Sequence, residues 1–266
     1  GTPALHSHAP QELFYFLGGH IADGDNALEL GLRLGDVLGR LDTILLADTH
    51  GDAALASMWR GWPIALGAHA FHADDDNGIE LRAHWDRYFP QSRVGIDAGY
   101  NDFAFATAYV TRRQIKTYEA IRVDVDEDHY RVFATARYRS LLRVDYQHDG
   151  GGTVTLGGIA SSVLPRSSYA RRVLDPALPV AILSGRDYDG WRIETSVPSM
   201  PFTAFYQRHD LGGTRLSLAG ARYELAFDPN PILKLPALDL TAGVAFILDG
   251  PTRHDTNWWL GLRWRP

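Results

Sequence analysis

The chain has no cysteine. Disulfide frameworks, thiolate nucleophiles and cysteine-held zinc or iron-sulfur centres are therefore excluded, while the redox compartment stays open. Long apolar runs are missing too, and nothing approaches the roughly 20 residues a membrane-crossing helix needs. Gly1 to Pro10 lack the charged-then-apolar pattern of an export signal, so an exported form is expected to begin after a removed signal or inside a longer protein. Basic residues never run beyond two in a row. With 26 Lys and Arg against 32 Asp and Glu the formal charge is -6, and no nucleic-acid partner is expected. Helix signals are scarce.

What the chain does hold is alternation. Between Ala27 and Leu34, Leu28, Leu30, Leu32 and Leu34 fall on one side, and Glu29, Gly31 and Arg33 on the other. That is the mark of a strand with one apolar face. The pattern returns over 79–85, 94–100, 130–138 and 142–147. It is less clean over 11–18, 39–47, 62–72, 103–111, 115–125, 152–158, 191–198, 201–208, 214–227, 237–247 and 257–264. These segments predict about 16 strands, within roughly 14 to 18, of the length that crosses a bilayer at the usual tilt. Over 214–227, Leu216 and Leu218 share one parity while Tyr223, Leu225 and Phe227 take the other, which predicts a bulge near Gly220.

Counted from the first strand, the even-to-odd connections are mostly short: 35–38, 73–77, 101–102, 126–128 and 148–151. The opposite set holds the long ones, 48–61, 159–190 and 249–256. This partition is expected of a membrane barrel with short periplasmic turns and longer outer loops, although 228–236 is longer than the rule would have it.

A soluble sandwich also alternates, but its solvent face is usually rich in Lys and Glu. Here the polar parity is dominated by Arg, Asp, His, Gln, Thr and Gly, and the apolar one by Leu, Val, Ala, Ile and Tyr. A closed sheet of about 16 strands in water would have a lumen too wide for apolar side chains to fill. With lipid outside and charge inside, the same pattern becomes consistent, and hydrocarbon does not tolerate an open edge. The expected fold is all-β: a single closed antiparallel transmembrane β-barrel over 1–266. Seven Trp, 12 Tyr and 26 Gly suit aromatic girdles and tight turns, as they would a sugar-binding sandwich.

The last strand adds a resemblance. Asn257 to Trp264 places Trp258, Leu260, Leu262 and Trp264 on one face, two residues before the end of the sequence given. It resembles the closing strand of Gram-negative outer-membrane barrels, although Arg265 and Pro266 follow the aromatic. The resemblance implies an outer-membrane location, contact with outer-membrane lipid and lipopolysaccharide, and handling by the barrel-assembly machinery. The stretch 54–64 resembles a connection in barrels that follow a periplasmic domain, which implies such a domain as a further partner.

Inward charges are expected from Glu29, Arg33, Arg40, Asp42, Glu80, Arg82 and Asp97, and from Arg131, Arg137, Arg143, Asp145, Arg192, Glu194 and Arg263. They would line a water-filled path, or pair across strands and lock a narrow interior. Membrane-girdle positions are Tyr100, Tyr130, Tyr138, Tyr146, Trp258 and Trp264, with Tyr109, Tyr118, Trp191 and Tyr206 as further members. The loop 159–190 carries Pro165, Pro176, Pro179 and the apolar run Val180 to Leu183, and is expected to plug the lumen or stand outside as a binding surface.

His69, His72, Asp74, Asp75, Asp76 and Glu80 could hold a divalent ion, but read more simply as a strand end and a solvated turn. No metal or other cofactor is expected. Known barrel hydrolases place His and Ser together on the lipid-facing rim. No such pair is visible here, Ser161, Ser162, Ser167 and Ser168 fall in the loop, and His84 and His148 are expected to face inward. The expected function is an outer-membrane pore or export conduit with a mixed-charge lumen. The alternatives are a barrel hydrolase acting on membrane lipid and a closed barrel serving as anchor or adhesion module.

Overall fold

In a computed structural model of the chain, the described residues are 12–22, 25–36, 40–73, 76–157, 163–165, 171–178, 183–197, 200–227, 237–251 and 255–265. The side chains of 12–20, 22, 25, 76, 237 and 263–265 lie outside that description. In chain order the strands are β1 (Glu12–Ala22), β2 (Asp25–Gly35), β3 (Leu41–Asp48), β4 (Ala53–Trp59), β5 (Ala65–Ala73), β6 (Asp76–Tyr88) and β7 (Ser92–Asn101). Next come β8 (Phe103–Arg113), β9 (Thr117–Val125), β10 (His129–Tyr138), β11 (Leu142–Gly151), β12 (Val154–Leu156), β13 (Arg172–Val173) and β14 (Leu183–Gly185). β15 (Tyr188–Ser196), β16 (Phe202–Leu211), β17 (Thr214–Phe227), β18 (Ala237–Asp249) and β19 (Thr256–Arg265) complete the set.

Sixteen of these, all but β12 to β14, pair antiparallel with their neighbours into a closed barrel. The seam runs between β1 and β19, with Gly18 opposite Arg263 and Ala22 opposite Trp259. Closure satisfies every edge, as a wall facing hydrocarbon requires.

The strand number matches the sequence reading, but two of its members do not. β4 lies inside the expected connection 48–61, and 152–158 is no wall strand: its core, β12, pairs parallel with β13 and antiparallel with β14 in a separate small sheet. The two errors cancel in number while inverting the ends of everything between them. The short connections at 74–75, 102 and 126–128 leave from the same rim as the long one, 152–187, and 23–24, 49–52, 212–213 and 250–255 share it. The opposite rim carries Glu12 and Arg265 with the connections 36–40, 60–64, 89–91, 114–116, 139–141, 197–201 and 228–236. The expected short-against-long partition of the two rims is thus overturned, since both are built mainly of short turns. Asp102 alone makes one of them, with a positive φ of 56°.

The outward face is apolar. Leu28, Leu30, Leu45, Leu55, Ile79, Leu81, Ile96, Val110, Ile121, Val144, Ile193 and Leu260 are all exposed on it. Period two sends their neighbours inward. Several inward aromatics lie over glycines of the adjoining strand: Tyr109 over Gly95, Phe105 over Gly99, Phe205 over Gly220 and Trp259 over Gly243. A side chain at those glycines would displace the ring.

The expected bulge at Gly220 is absent, and the faces keep phase throughout β17. Leu216 and Leu218 point inward and are buried, while Tyr223 and Phe227 point outward and are exposed. The register shift sits instead between Ser217 and Leu218, which pair with Asp249 and Ile247 and so leave Leu248 as the extra residue on β18. Two inward leucines are stable there because other side chains cover them.

Candidate functional site in the barrel interior

The covering material comes from the connection between β11 and β15, 152–187, whose described residues 152–157, 163–165, 171–178 and 183–187 lie in the interior. Gly151, with φ of 94° and no room for a Cβ beside Asp128, turns the chain off the wall. Val154, Leu156, Val173, Ala177 and Leu178 of this segment form one buried cluster with Phe205, Leu216, Leu218, Ala245, Ile247 and Trp259 of the wall. A second cluster joins Val163 and Leu164 to Ala54, Phe71 and Ala73. Burial of each large aliphatic is worth about 1.5–3 kcal/mol, so the apolar contacts alone hold the segment firmly.

Polar anchors reach it from most of the way round. Asp175 accepts bonds from Arg192 and from Gln207 Nε2 at 3.0 Å. Arg131 Nη2 donates to Arg172 O at 3.0 Å, and Asn257 Nδ2 to Pro176 O at 2.9 Å. His69 Nε2 lies 2.8 Å from Val163 O. Arg171 bonds Asp128 at 2.8 Å, and its guanidinium stands 4.8 Å over the Phe103 ring. The expected loop 159–190 is thus folded inward over its described parts. The run Val180 to Leu183 is described only at Leu183, which packs against the first cluster.

Most of the expected inward charges are where alternation put them, and most are paired. Arg33 bonds Asp42 at 2.7 and 2.9 Å. Arg82 stands 3.5 Å from Asp97, which also holds His84 at 2.8 Å. Arg131 binds both oxygens of the fully buried Asp149. Arg143 bonds Asp145 at 2.9 Å, and Glu194 lies between Arg192 and Arg222 at 2.5 and 2.6 Å. Glu29 and the buried Glu80 also occupy inward parities. Arg40 immediately precedes β3 at the rim and is exposed, and Arg137 is exposed. The side chain of Arg263 lies outside the described residues.

Beneath the inserted segment, toward the rim that carries Glu12 and Arg265, the interior opens into a cavity of about 1230 Å³. Arg60, Arg82, Arg93, Arg113, Lys116, Arg122, Arg137, Arg139 and Arg143 line it, against Asp86 and Asp97. Tyr109 and Tyr118 line it as well. They are not girdle residues, because their parity is inward, and Tyr109 stacks on His84 at 6.5 Å. The cationic excess was hidden in the sequence, because the acids that balance it overall lie elsewhere.

The other described girdle candidates face out. Tyr100, Tyr130, Tyr146 and Trp258 are exposed on the outer wall toward the rim from which the inserted segment leaves, and Tyr138 toward the opposite one. Trp191 and Tyr206 pack together at 5.1 Å. The side chain of Trp264 is outside the described residues. His148 faces out as well, against expectation, because it shares the parity of Tyr146. It lies 3.0 Å from Asp189 and 3.2 Å from the Tyr130 hydroxyl. No serine or threonine bonds it among the described residues. The His and Asp cluster around 69–80 does not converge: His69 points inward and His72 outward to Asn77, and Asp74 and Asp75 lie outside the described residues. No group of three or more His, Asp or Glu is placed to hold a metal among the described residues.

No family model matches the sequence, and no curated protein matches it. The three-dimensional structure does find relatives in shape. OccK10 (OpdN) of Pseudomonas aeruginosa superposes with a TM-score of 0.58 at 12% identity, covering 96% of this chain and 99% of that one. OpdK, an outer-membrane protein of the same organism, gives 0.54 at 12% over 95% and 97%. A triple mutant of the Rhodopseudomonas blastica porin gives 0.54 at 9% over 95% and 99%. The fold is that of a Gram-negative outer-membrane β-barrel. At these identities the likeness is one of architecture. It extends over nearly the whole of each chain.

Proposed function

We propose that this outer-membrane barrel is a passive channel. Its lumen is narrowed by the segment 152–187 and opens toward the terminal rim through the cationic cavity. The observation that carries the reading is a closed wall with an apolar exterior around a polar cavity of about 1230 Å³. A barrel made only to anchor would gain nothing from leaving that volume wet. Following the general orientation of such barrels, the terminal rim faces the periplasm and the inserted segment enters from outside. Lipid and lipopolysaccharide contact the outer wall, with Tyr and Trp rings at headgroup depth. The barrel-assembly machinery would act on β19, and a periplasmic domain would join at the terminal rim. Solutes pass by diffusion without a cofactor.

A second reading, a closed anchor or adhesion barrel, is favoured by the anchors that tie the segment to β5, β10, β15, β16 and β19. Planar-bilayer recording separates the two. The intact chain is expected to give small discrete currents, and replacement of 153–186 by a short Gly-Ser turn should enlarge them several-fold. Silence of both proteins, each migrating as a folded heat-modifiable barrel, would leave the anchor reading.

A further inference from the structure

Four inward positions in register cross the cavity mouth on adjacent strands. Arg113 of β8 stands opposite Tyr118 of β9, Tyr118 opposite Arg137 of β10, and Arg137 opposite Arg143 of β11. All four line the cavity. Like charges placed directly opposite destabilise a sheet pair, and Arg143 is relieved by Asp145 at 2.9 Å. Arg137 is not relieved: among the described residues its side chain has no ion pair, hydrogen bond or ring contact, and it is exposed to the cavity. The side chain of Arg113 is in the same condition.

The nearby acids are committed elsewhere. Asp86 is held by Arg93 at 2.5 Å and Asp97 by His84 at 2.8 Å. Glu194 and Glu224, which share a smaller neighbouring cavity with Arg137, are held by Arg222 at 2.6 and 2.9 Å. Lys116 and Arg139 add two more cations from the adjoining turns. Neighbouring strands lie about 4.8 Å apart, so Arg113 to Arg143 spans roughly 14 Å.

We infer that this row is a binding site for a small solute with clustered acidic oxygens, such as a phosphate group or a di- or tricarboxylate. Arg137 is its main contact, and Arg113, Tyr118 and Arg143 flank it. A guanidinium presents a planar fork of donors that matches such oxygens in pairs. Tyr118 adds a neutral donor on the strand between the two cations. The site lies at the terminal rim, below the inserted segment, so it would load or release solute at that mouth. As a step in permeation it rests on the channel reading, and the test is built so that the two can fail separately.

Calorimetric titration of the full detergent-solubilised chain with inorganic phosphate, citrate and choline reads binding without conduction. Phosphate and citrate should bind, more weakly as salt rises, and choline should not. Arg137→Gln should weaken citrate about tenfold, the loss of one charge-assisted contact. Arg137→Lys should lose less. Arg215→Gln, on the outer wall, should bind as the parent does. A gel shift equal to that of the parent shows that each variant is folded. Failure of the parent to bind either anion, or citrate binding by folded Arg137→Gln equal to the parent's, would overturn the site. Citrate binding in a chain that passes no current would keep the site and refute the channel.

Discussion

Along β16 to β19 the inward positions Phe205, Leu218, Ala245, Ile247 and Trp259 are buried and apolar. Along β6 to β10 the inward positions of the opposite wall include His84, Arg93, Tyr109, Arg122 and Arg137, all in contact with the open cavity. Both are interior faces of one sheet, with the same lipid outside. The difference is what they touch. The first wall is covered by the inserted segment and behaves like the core of a soluble protein. The second faces a wet space, where charge costs little and exposed ion pairs contribute little.

The contrast can be broken most violently by removing the cover, since the turn replacement of 153–186 exposes every apolar residue of the first wall as well as enlarging the current. Next in size is Asp149→Asn. Asp149 is fully buried under the segment and accepts from Arg131 and Gln147, so the change strands a buried cation and should cost about 3–5 kcal/mol in urea unfolding from lipid vesicles. Leu218→Ala leaves a cavity beneath the segment and should cost about 2–5 kcal/mol by the same assay. Smallest is Arg93→Gln on the open wall. Its pair with Asp86 at 2.5 Å is solvent-accessible and should be worth no more than about 1 kcal/mol, less at high salt. Equal losses from Leu218→Ala, on the covered wall, and Arg93→Gln, on the open one, would mean that the two walls do not differ.

The same contrast explains what could be read in advance. Strands with one lipid face and one wet face, such as β2, β6 and β10, announce themselves by alternation. β4 does not: its inward Ala54 packs against Val163 and Leu164 of the inserted segment, so both its faces are small or apolar and the period vanishes. β12 mimics a wall strand because Val154 and Leu156 alternate, although they point into the interior cluster. Leu216 and Leu218 looked like a change of phase for the same reason. Of the candidate site, the inward parity of Arg33, Arg82, Arg131, Arg143, Arg192 and Glu194 was legible. The inward turn of Tyr109 and Tyr118 was not, since a tyrosine suits a girdle and a pore wall alike. The outward turn of His148 was readable, because it shares parity with Tyr146.

By itself the sequence determined that the chain is β, that one face of most strands meets lipid, and that the sheet must close, because alternation is a local property and hydrocarbon forbids an open edge. Only the tertiary structure decided which segments make the sixteen strands, that the described parts of 152–187 pack in the interior, and which arginines are neutralised. Those depend on what lies opposite each inward side chain across the lumen, and such neighbours are far apart in the chain.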